Sequence, residues 1–175
     1  MPSQCLPARV QQDPLTGALL LSLSPGRYRS RPLVLAEGRF LPTPDCHVTL
    51  LGRRLAGRLS AEQKRQLLQL AQTHLWQVRP CAECLLLERP AEHIQQPPAQ
   101  SIIELVAVPA AFAFYQQLRE LHRSDWPLPP MHVTAMTATG ERGIGLYSAA
   151  ELDRWRQRPL TTEERRQLIL DDNPD

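Results

Sequence analysis

The sequence is poor in lysine and in aromatic residues, and it carries little net charge. Of its 20 basic residues only Lys64 is a lysine, while Phe, Tyr and Trp make up 5% of the 175 residues. A formal charge of +2 without any polybasic run argues against a protein that coats nucleic acid. Arginine suits phosphate because it presents a planar fork, although an Arg-favouring genome explains the bias more simply.

Long hydrophobic segments are also missing. No N-terminal basic stretch precedes an apolar run, and no run approaches the ~20 residues of a membrane span. We therefore expect neither a secretion signal nor a membrane-spanning segment. Four cysteines, two of them in Cys81-Ala-Glu-Cys84, predict reduced thiols and a cytoplasmic protein. A lone CxxC without two further ligands is weak evidence for a zinc site.

The composition is not that of a disordered chain. Gly and Pro number 8 and 17, and apolar residues make up 42% of the chain. Disordered chains have a combined Gly and Pro content of ~25–30%, so we expect a folded protein. The length predicts a single domain, residues 1–175, with an irregular arm over the first 18 residues and a disordered acidic tail at 171–175.

Short apolar runs and Ser caps outline alternating strands and helices. Ser60 with Gln63, and Ser148 with Glu151, have capping-box spacing and predict two helix starts. The predicted strands are 19–23, 33–36, 46–51, 84–88, 102–108, 131–136 and 143–146, and the predicted helices are 61–76, one from Pro109, one after Ser148, and 161–170. The expected core positions of the first two helices are Leu67, Leu68, Leu70, Ala71 and Leu75, then Phe112, Tyr115 and Leu118. We expect residues 36–46 to form only a connector.

One triplet occurs twice. His47-Val48-Thr49 and His132-Val133-Thr134 lie 85 residues apart, each in a predicted strand and each followed by a Ser-capped helix. A third, looser match at residues 122–124 lies at a polar helix end and lacks the strand. Two copies in a chain with 5 His favour a duplicated unit over coincidence.

The spacing of the triplet has chemical consequences. Residues i and i+2 of a strand point to the same face, so each copy projects one imidazole and one hydroxyl together. If the two copies face each other, one neutral imidazole can accept a proton while one imidazolium donates one. Threonine hydroxyls can donate to the non-bridging oxygens of a phosphodiester. This chemistry requires no metal or other cofactor, and the sequence has no carboxylate cluster to hold a metal.

On these two motifs the chain resembles the two-histidine (2H) phosphoesterase superfamily, the LigT-like RNA 2′,3′-cyclic phosphodiesterases and 2′–5′ RNA ligases. The resemblance spans roughly residues 19–155. It implies an α+β fold that is bilobal and pseudo-twofold, with two antiparallel sheets lining a central cleft and helices outside. It also implies that His47 and His132 are a catalytic acid and base pair, and that Thr49 and Thr134 bind the substrate phosphate.

Further substrate contacts are predicted on either side of the motifs. Tyr28, Arg29 and Arg31 precede the first motif, while Arg142 and Tyr147 flank the strand expected after the second. Such side chains can bind phosphate or stack on a base, although solvent-exposed arginines are the simpler reading. We expect a monomer that acts on a nucleotide or an RNA end.

Several alternatives remain open at this point. The same cleft could belong to a noncatalytic module that binds nucleotides or RNA ends, or to an accessory protein whose acidic tail recruits partners. Among enzymes, the substrates could be RNA ends, cyclic dinucleotides, ADP-ribose cyclic phosphate or oligoadenylates, and the reaction could run as hydrolysis or ligation. The near-symmetry of the motifs leaves the acid and the base unassigned.

Overall fold

The structure, a computed structural model, describes residues 5–24, 26–91, 93 and 96–170. Within these ranges the chain forms an α+β fold, as expected. The predicted acidic tail lies outside the described residues. The strands are β1 (Leu6–Pro7), β2 (Arg9–Gln12), β3 (Leu19–Ser22), β4 (Leu33–Leu35), β5 (Gly38–Pro42), β6 (His47–Leu51), β7 (Gln77–Arg89), β8 (Ala99–Ala107), β9 (His132–Thr137) and β10 (Arg156–Pro159). The helices are α1 (Arg53–Ala56), α2 (Ala61–Gln72), α3 (Pro109–His122), α4 (Ala149–Trp155) and α5 (Thr162–Leu168).

The strands pair in one continuous antiparallel path. Its order is β1-β7-β8-β9-β6-β3-β2, with β10 paired to β7, and with β5 paired to both β4 and β9. This differs from the expected division into two separate sheets, because β6 and β9 pair directly with each other. No helix in the described part of the chain is long and apolar enough to cross a membrane.

The first triplet lies in a strand with a bulge. In the pairing of β6 with β3, Thr49 is opposite Leu20 and Leu51 is opposite Leu19, which leaves Leu50 as the extra residue. The carbonyl of Leu50 accepts a hydrogen bond of 2.9 Å from the buried Tyr115 hydroxyl. The bulge therefore has a specific partner in α3.

The second triplet repeats this arrangement. In the pairing of β9 with β8, Thr134 is opposite Ile103 and Met136 is opposite Ile102, which leaves Ala135 as the extra residue. Leu50 and Ala135 are each the third residue after the motif histidine. The duplication predicted from the triplets thus extends to the neighbouring strands and to the position of the bulge.

Apolar residues cover both faces of the sheet. Val48 and Val133 are fully buried in a core that α2 and α3 complete, and we call this side of the sheet the core face. On the opposite side, Leu85, Leu87 and Ile103 pack under residues 144–146 and α4. His47, Thr49, His132 and Thr134 project from that second side, which we call the motif face.

Several sequence predictions of strands were wrong. The N-terminal arm contains β1 and β2, and the predicted connector at 36–46 contains β5. Strands β1 and β2 lie at the two ends of the sheet, and β2 is mostly polar. Strand β5 contains a proline, and Phe40 is its one fully buried residue. Residues 143–146 are not a strand, because the Ile144 amide donates to the Ser101 hydroxyl at 3.0 Å instead of to a strand partner. The short elements α1 and β10 were not predicted.

The helix predictions were correct in position and partly wrong in their buried residues. Both serine caps are present, with Ser60 in a full capping box. Leu75 is 82% exposed because α2 ends at Gln72 and leaves it outside the stripe. Phe112 is 60% exposed, and Phe114 takes the core position, where its ring packs edge-on against Trp76 at 5.7 Å.

Candidate functional site

The strand pairing brings the two triplets side by side. Val48 is the registered partner of Val133 in antiparallel strands, so His47 lies across from Thr134 and Thr49 lies across from His132. Cross-strand neighbours of this kind have Cβ atoms ~4.5–5.5 Å apart. Each imidazole therefore has the hydroxyl of the other motif as its neighbour, on the same face of the sheet.

His132 is the more buried of the two histidines. His132 is only 8% exposed, and its Nδ1 lies 2.8 Å from the Pro130 carbonyl oxygen. A carbonyl can only accept, so Nδ1 carries the hydrogen and Nε2 is left as the proton acceptor of the neutral ring. Burial lowers the pKa of His132, the Pro130 carbonyl partly offsets this, and the neighbouring His47 lowers it further.

His47 has different surroundings. It is half-buried, and no side-chain hydrogen bond holds its ring within the described residues. Burial lowers the pKa of His47, and the carboxylate of Asp45 acts in the opposite direction. The residue two positions before each histidine thus differs in kind, a charged Asp45 in one copy and the carbonyl of Pro130 in the other.

Tyr147 lies beside the end of the first motif strand. A Cβ atom on Gly52, three residues after Thr49, would lie 2.8 Å from the Tyr147 ring, so the ring packs directly on this glycine. The guanidinium of Arg54 lies over the same ring, 5.5 Å from its centre, and approaches Glu151 at 4.0 Å. Of the five predicted substrate contacts, Tyr147 has the clearest connection to a motif strand.

Arg142 is exposed and lies toward the turn between β2 and β3. The pKa of Asp13 in that turn is lowered, mainly by the Thr16 hydroxyl and the Leu15 amide, with a smaller contribution from Arg142. Arg142 makes no side-chain contact with either motif among the hydrogen bonds and ion pairs of the described residues.

Tyr28 lies on the other side of the sheet from the motifs. Its hydroxyl donates to Glu104 Oε2 at 2.6 Å, and Glu104 is the registered partner of Val133, on the core face. Arg29 and Arg31 line a separate open depression with Ser30 and Leu170. The structure therefore brings together the four motif side chains, with Tyr147 nearby, and does not bring Tyr28 to them.

Three neighbours of the site were missed in the sequence. Asp45 and Pro130 each lie two residues before a motif histidine, and their shared offset from the duplicated triplet was the available signal. Gly143 was also missed, although its backbone lies against the Thr134 side chain. Nothing in its local sequence marks this contact with a residue nine positions earlier.

A scan of known protein-family models, a search of curated proteins and a search of solved structures found no match to this chain. Across the ranges that the structure describes, no group of three or more His, Cys, Asp or Glu side chains is placed to hold a metal ion. The candidate site itself offers two imidazoles and two hydroxyls.

Proposed function

We propose that the protein is a metal-independent phosphoesterase of the two-histidine type. Its substrate is a 2′,3′-cyclic phosphate, or a 2′–5′ or 3′–5′ phosphodiester, of an RNA end or a small nucleotide. The observation that carries the proposal is the pairing of Val48 with Val133, which sets the imidazole of each motif beside the hydroxyl of the other. A phosphodiester needs one proton acceptor, one proton donor and hydrogen-bond donors for its non-bridging oxygens, and this set supplies all three.

The surroundings of the two histidines support different roles. The hydrogen bond from His132 Nδ1 to Pro130 leaves Nε2 as a proton acceptor, and burial favours the neutral ring, so His132 suits the general base. Burial lowers the pKa of His47 as well, but Asp45 opposes this and favours the protonated ring, so of the two histidines His47 suits the general acid better. In hydrolysis of a cyclic phosphate, His132 takes a proton from water as its oxygen attacks phosphorus. The P–O bond of the ring then breaks, and His47 protonates the leaving oxygen.

The two threonines complete the proposed mechanism. Thr49 and Thr134 are both half-exposed on the motif face, so their hydroxyls are open to a ligand. Negative charge grows on the non-bridging oxygens in the transition state, and donors fixed in advance stabilise it without reorganising. In this mechanism each hydroxyl donates to one of those oxygens.

The first experiment compares single histidine variants on 2′,3′-cyclic nucleotides and 2′–5′ linked oligonucleotides. The rate of the wild type should depend on pH in a bell shape, and His47→Ala and His132→Ala should each slow the reaction roughly 10²–10⁴-fold. The exposed His93 provides the matched control, and His93→Ala should retain full activity. Near-normal turnover in both motif variants would refute the paired-histidine mechanism.

A substrate with a good leaving group separates the two roles. A nitrophenyl phosphodiester does not need protonation of its leaving oxygen, so it should restore activity to His47→Ala and not to His132→Ala. The opposite pattern would exchange the assigned roles. Saturable binding of the cyclic nucleotides without any product would instead identify a noncatalytic binding module.

Metal independence has its own test. Hydrolysis should proceed at an unchanged rate in excess EDTA, because side-chain donors supply the charge stabilisation in this mechanism. Activity that EDTA abolishes and a divalent ion restores would contradict the proposal. The wild type assayed with EDTA plus a matching excess of magnesium is the control for effects of the chelator itself.

A further inference from the structure

The loop between β9 and α4 passes unusually close to one motif threonine. A Cβ atom on Gly143 would lie 2.5 Å from both Thr134 Oγ1 and Thr134 Cγ2, and 3.0 Å from Thr134 Cβ. Real Cβ atoms essentially never come this near another heavy atom, so only glycine fits here with Thr134 in its present rotamer. The φ angle of Gly143 is not in the left-handed region that favours glycine. Glycine is required here because there is no room for a Cβ atom.

The loop is fixed on the C-terminal side of Gly143. The Ile144 amide donates to the buried Ser101 hydroxyl at 3.0 Å, and Ser101 belongs to β8. Ile144 and Leu146 are 2% and 6% exposed, and they pack on Leu85, Leu87 and Ile103. A larger residue at position 143 would therefore displace the Thr134 side chain more readily than the anchored loop.

The threonine can respond only by turning. Thr134 is β-branched and lies inside a strand, where its χ1 angle has few favourable values. Its backbone is held as well, because the Thr43 hydroxyl donates to the Thr134 carbonyl at 3.0 Å. A turn of χ1 would redirect the hydroxyl away from its present direction.

We propose that Gly143 is a positioning residue, which lets the loop hold the Thr134 hydroxyl in the direction required to donate to the substrate phosphate. This inference rests on the proposed function, since it assigns the contact between Gly143 and Thr134 to the same site. Gly143 itself need not touch the substrate. It acts through Thr134, whose hydroxyl is fixed before the phosphate binds.

The test is a double-mutant cycle in the full chain. Gly143→Ala should lower kcat roughly 10- to 100-fold, since misplacement of a reacting group by ~1 Å can cost ~10²-fold. Thr134→Val has the shape of threonine without the hydroxyl, so it keeps the steric conflict and removes the donor. In the Thr134→Val background, Gly143→Ala should therefore change kcat by less than about 2-fold, because the groups act as a unit.

Thermal denaturation separates positioning from a general loss of structure. The steric clash between a Cβ at position 143 and the side chain at position 134 is the same for Val and Thr. Gly143→Ala should therefore lower Tm equally in both backgrounds. Gly145→Ala is the matched control, because a Cβ on Gly145 would meet nothing closer than 3.8 Å, and it should leave kcat unchanged. An equal loss of kcat in both backgrounds would overturn the proposal, as would full activity in Gly143→Ala.

If Gly143→Ala does not fold, Thr134→Ser provides the measurement. Serine keeps the hydroxyl and removes the Cγ2 methyl that packs against Gly143, so the hydroxyl gains freedom to turn. We expect a severalfold lower kcat with native circular dichroism. Wild-type kcat in Thr134→Ser would show that the hydroxyl does not need the loop, and would overturn the proposal.

Titration with inorganic phosphate distinguishes failure of this inference from failure of the proposed function. If the wild type binds phosphate and turns over no phosphodiester, the proposed function fails. The phosphate affinities of the same Gly143→Ala and Thr134→Val variants then test the role of Gly143. If it turns over substrate and the cycle is additive, only the role of Gly143 fails. A wild type that neither binds phosphate nor turns over substrate refutes both.

Discussion

The strand pairs β3–β6 and β8–β9 carry the same triplet in the same register, but they lie in different surroundings. Both have a bulge after the motif threonine, at Leu50 and Ala135. His132 is buried and bonded to a carbonyl, whereas His47 is half-buried beside a carboxylate. The repeated register brings two imidazoles and two hydroxyls together. Their different surroundings match the opposite proton-transfer roles that the proposed mechanism gives them.

The two halves differ most on the core face. Leu21 is the buried neighbour of Val48, and the equivalent neighbour of Val133 is Glu104, which is also fully buried. The Glu104 carboxylate accepts two hydrogen bonds from Arg27, at 2.7 and 2.8 Å. This pairing raises the pKa of Arg27, and burial beside Glu104 raises that of Tyr28. The β8–β9 pair thus faces a buried charge cluster at a position where the β3–β6 pair has a leucine.

The largest expected effect on stability comes from replacing Glu104 with leucine, the residue type at the equivalent position of the β3–β6 pair. Glu104→Leu leaves Arg27 with a half-buried, unpaired charge and should lower the free energy of unfolding by about 3 kcal/mol. Arg27→Met added to Glu104→Leu should recover much of that loss, since both charges are then gone. Urea denaturation measures both, and Leu21→Met is a control for change in the apolar half. A Glu104→Leu variant as stable as wild type would mean that the cluster contributes nothing.

The next effect compares the two hydroxyls. Thr49→Val and Thr134→Val should each lower kcat about 10-fold or more with native circular dichroism, because valine suits a strand and only the donor is lost. Thr162→Val, on the exposed start of α5, is the control and should be silent. If one variant loses activity and the other does not, the duplicated hydroxyls have separate roles and the phosphate has one threonine ligand.

A smaller effect concerns the equivalent helix caps. The Ser60 hydroxyl accepts from the Gln63 amide and begins α2, which buries Leu67 and Ala71, so Ser60→Ala should lower the free energy of unfolding by about 1 kcal/mol. Ser148 caps α4, which has no fully buried residue, so Ser148→Ala should cost less in global unfolding. Urea denaturation of both variants measures the difference, and an equal loss would contradict it.

The sequence predicted the main elements of the candidate site because local rules govern them. The triplets lie in apolar runs, and the capping serines have local partners, so strands and helix starts followed from neighbouring residues. The position of Tyr28 could not be predicted, because its burial depends on Glu104, 76 residues away. The edge strand β2 was missed because half of its residues are exposed. Strand β5 was missed because it contains Gly38 and Pro42 and only Phe40 of its residues is fully buried.

Other parts of the candidate site depend on contacts that no local pattern contains. The bulge at Leu50 is stabilised by Tyr115, which is 65 residues away, and the loop at 143–146 is anchored by Ser101. Both hydrogen bonds replace regular strand pairing, so hydrophobic periodicity predicts a plain strand where the chain bends. The direct pairing of β6 with β9 has the same origin, because it joins residues 85 apart.

The smallest expected effect tests the residue that distinguishes the two histidines. Asp45→Asn removes a negative charge that raises the pKa of His47, so that pKa should fall below its wild-type value. The limb of the pH–rate profile to which His47 contributes should then move to lower pH, and the limb due to His132 should move less. NMR titration of the free protein measures the two imidazoles separately, and Asp153→Asn, on the exposed side of α4, is the charge-matched control. Because Asp45 is exposed, added salt should reduce the difference between variant and wild type. An unchanged or raised His47 pKa in Asp45→Asn would remove Asp45 from the comparison and leave burial and the Pro130 carbonyl as the sources of the asymmetry.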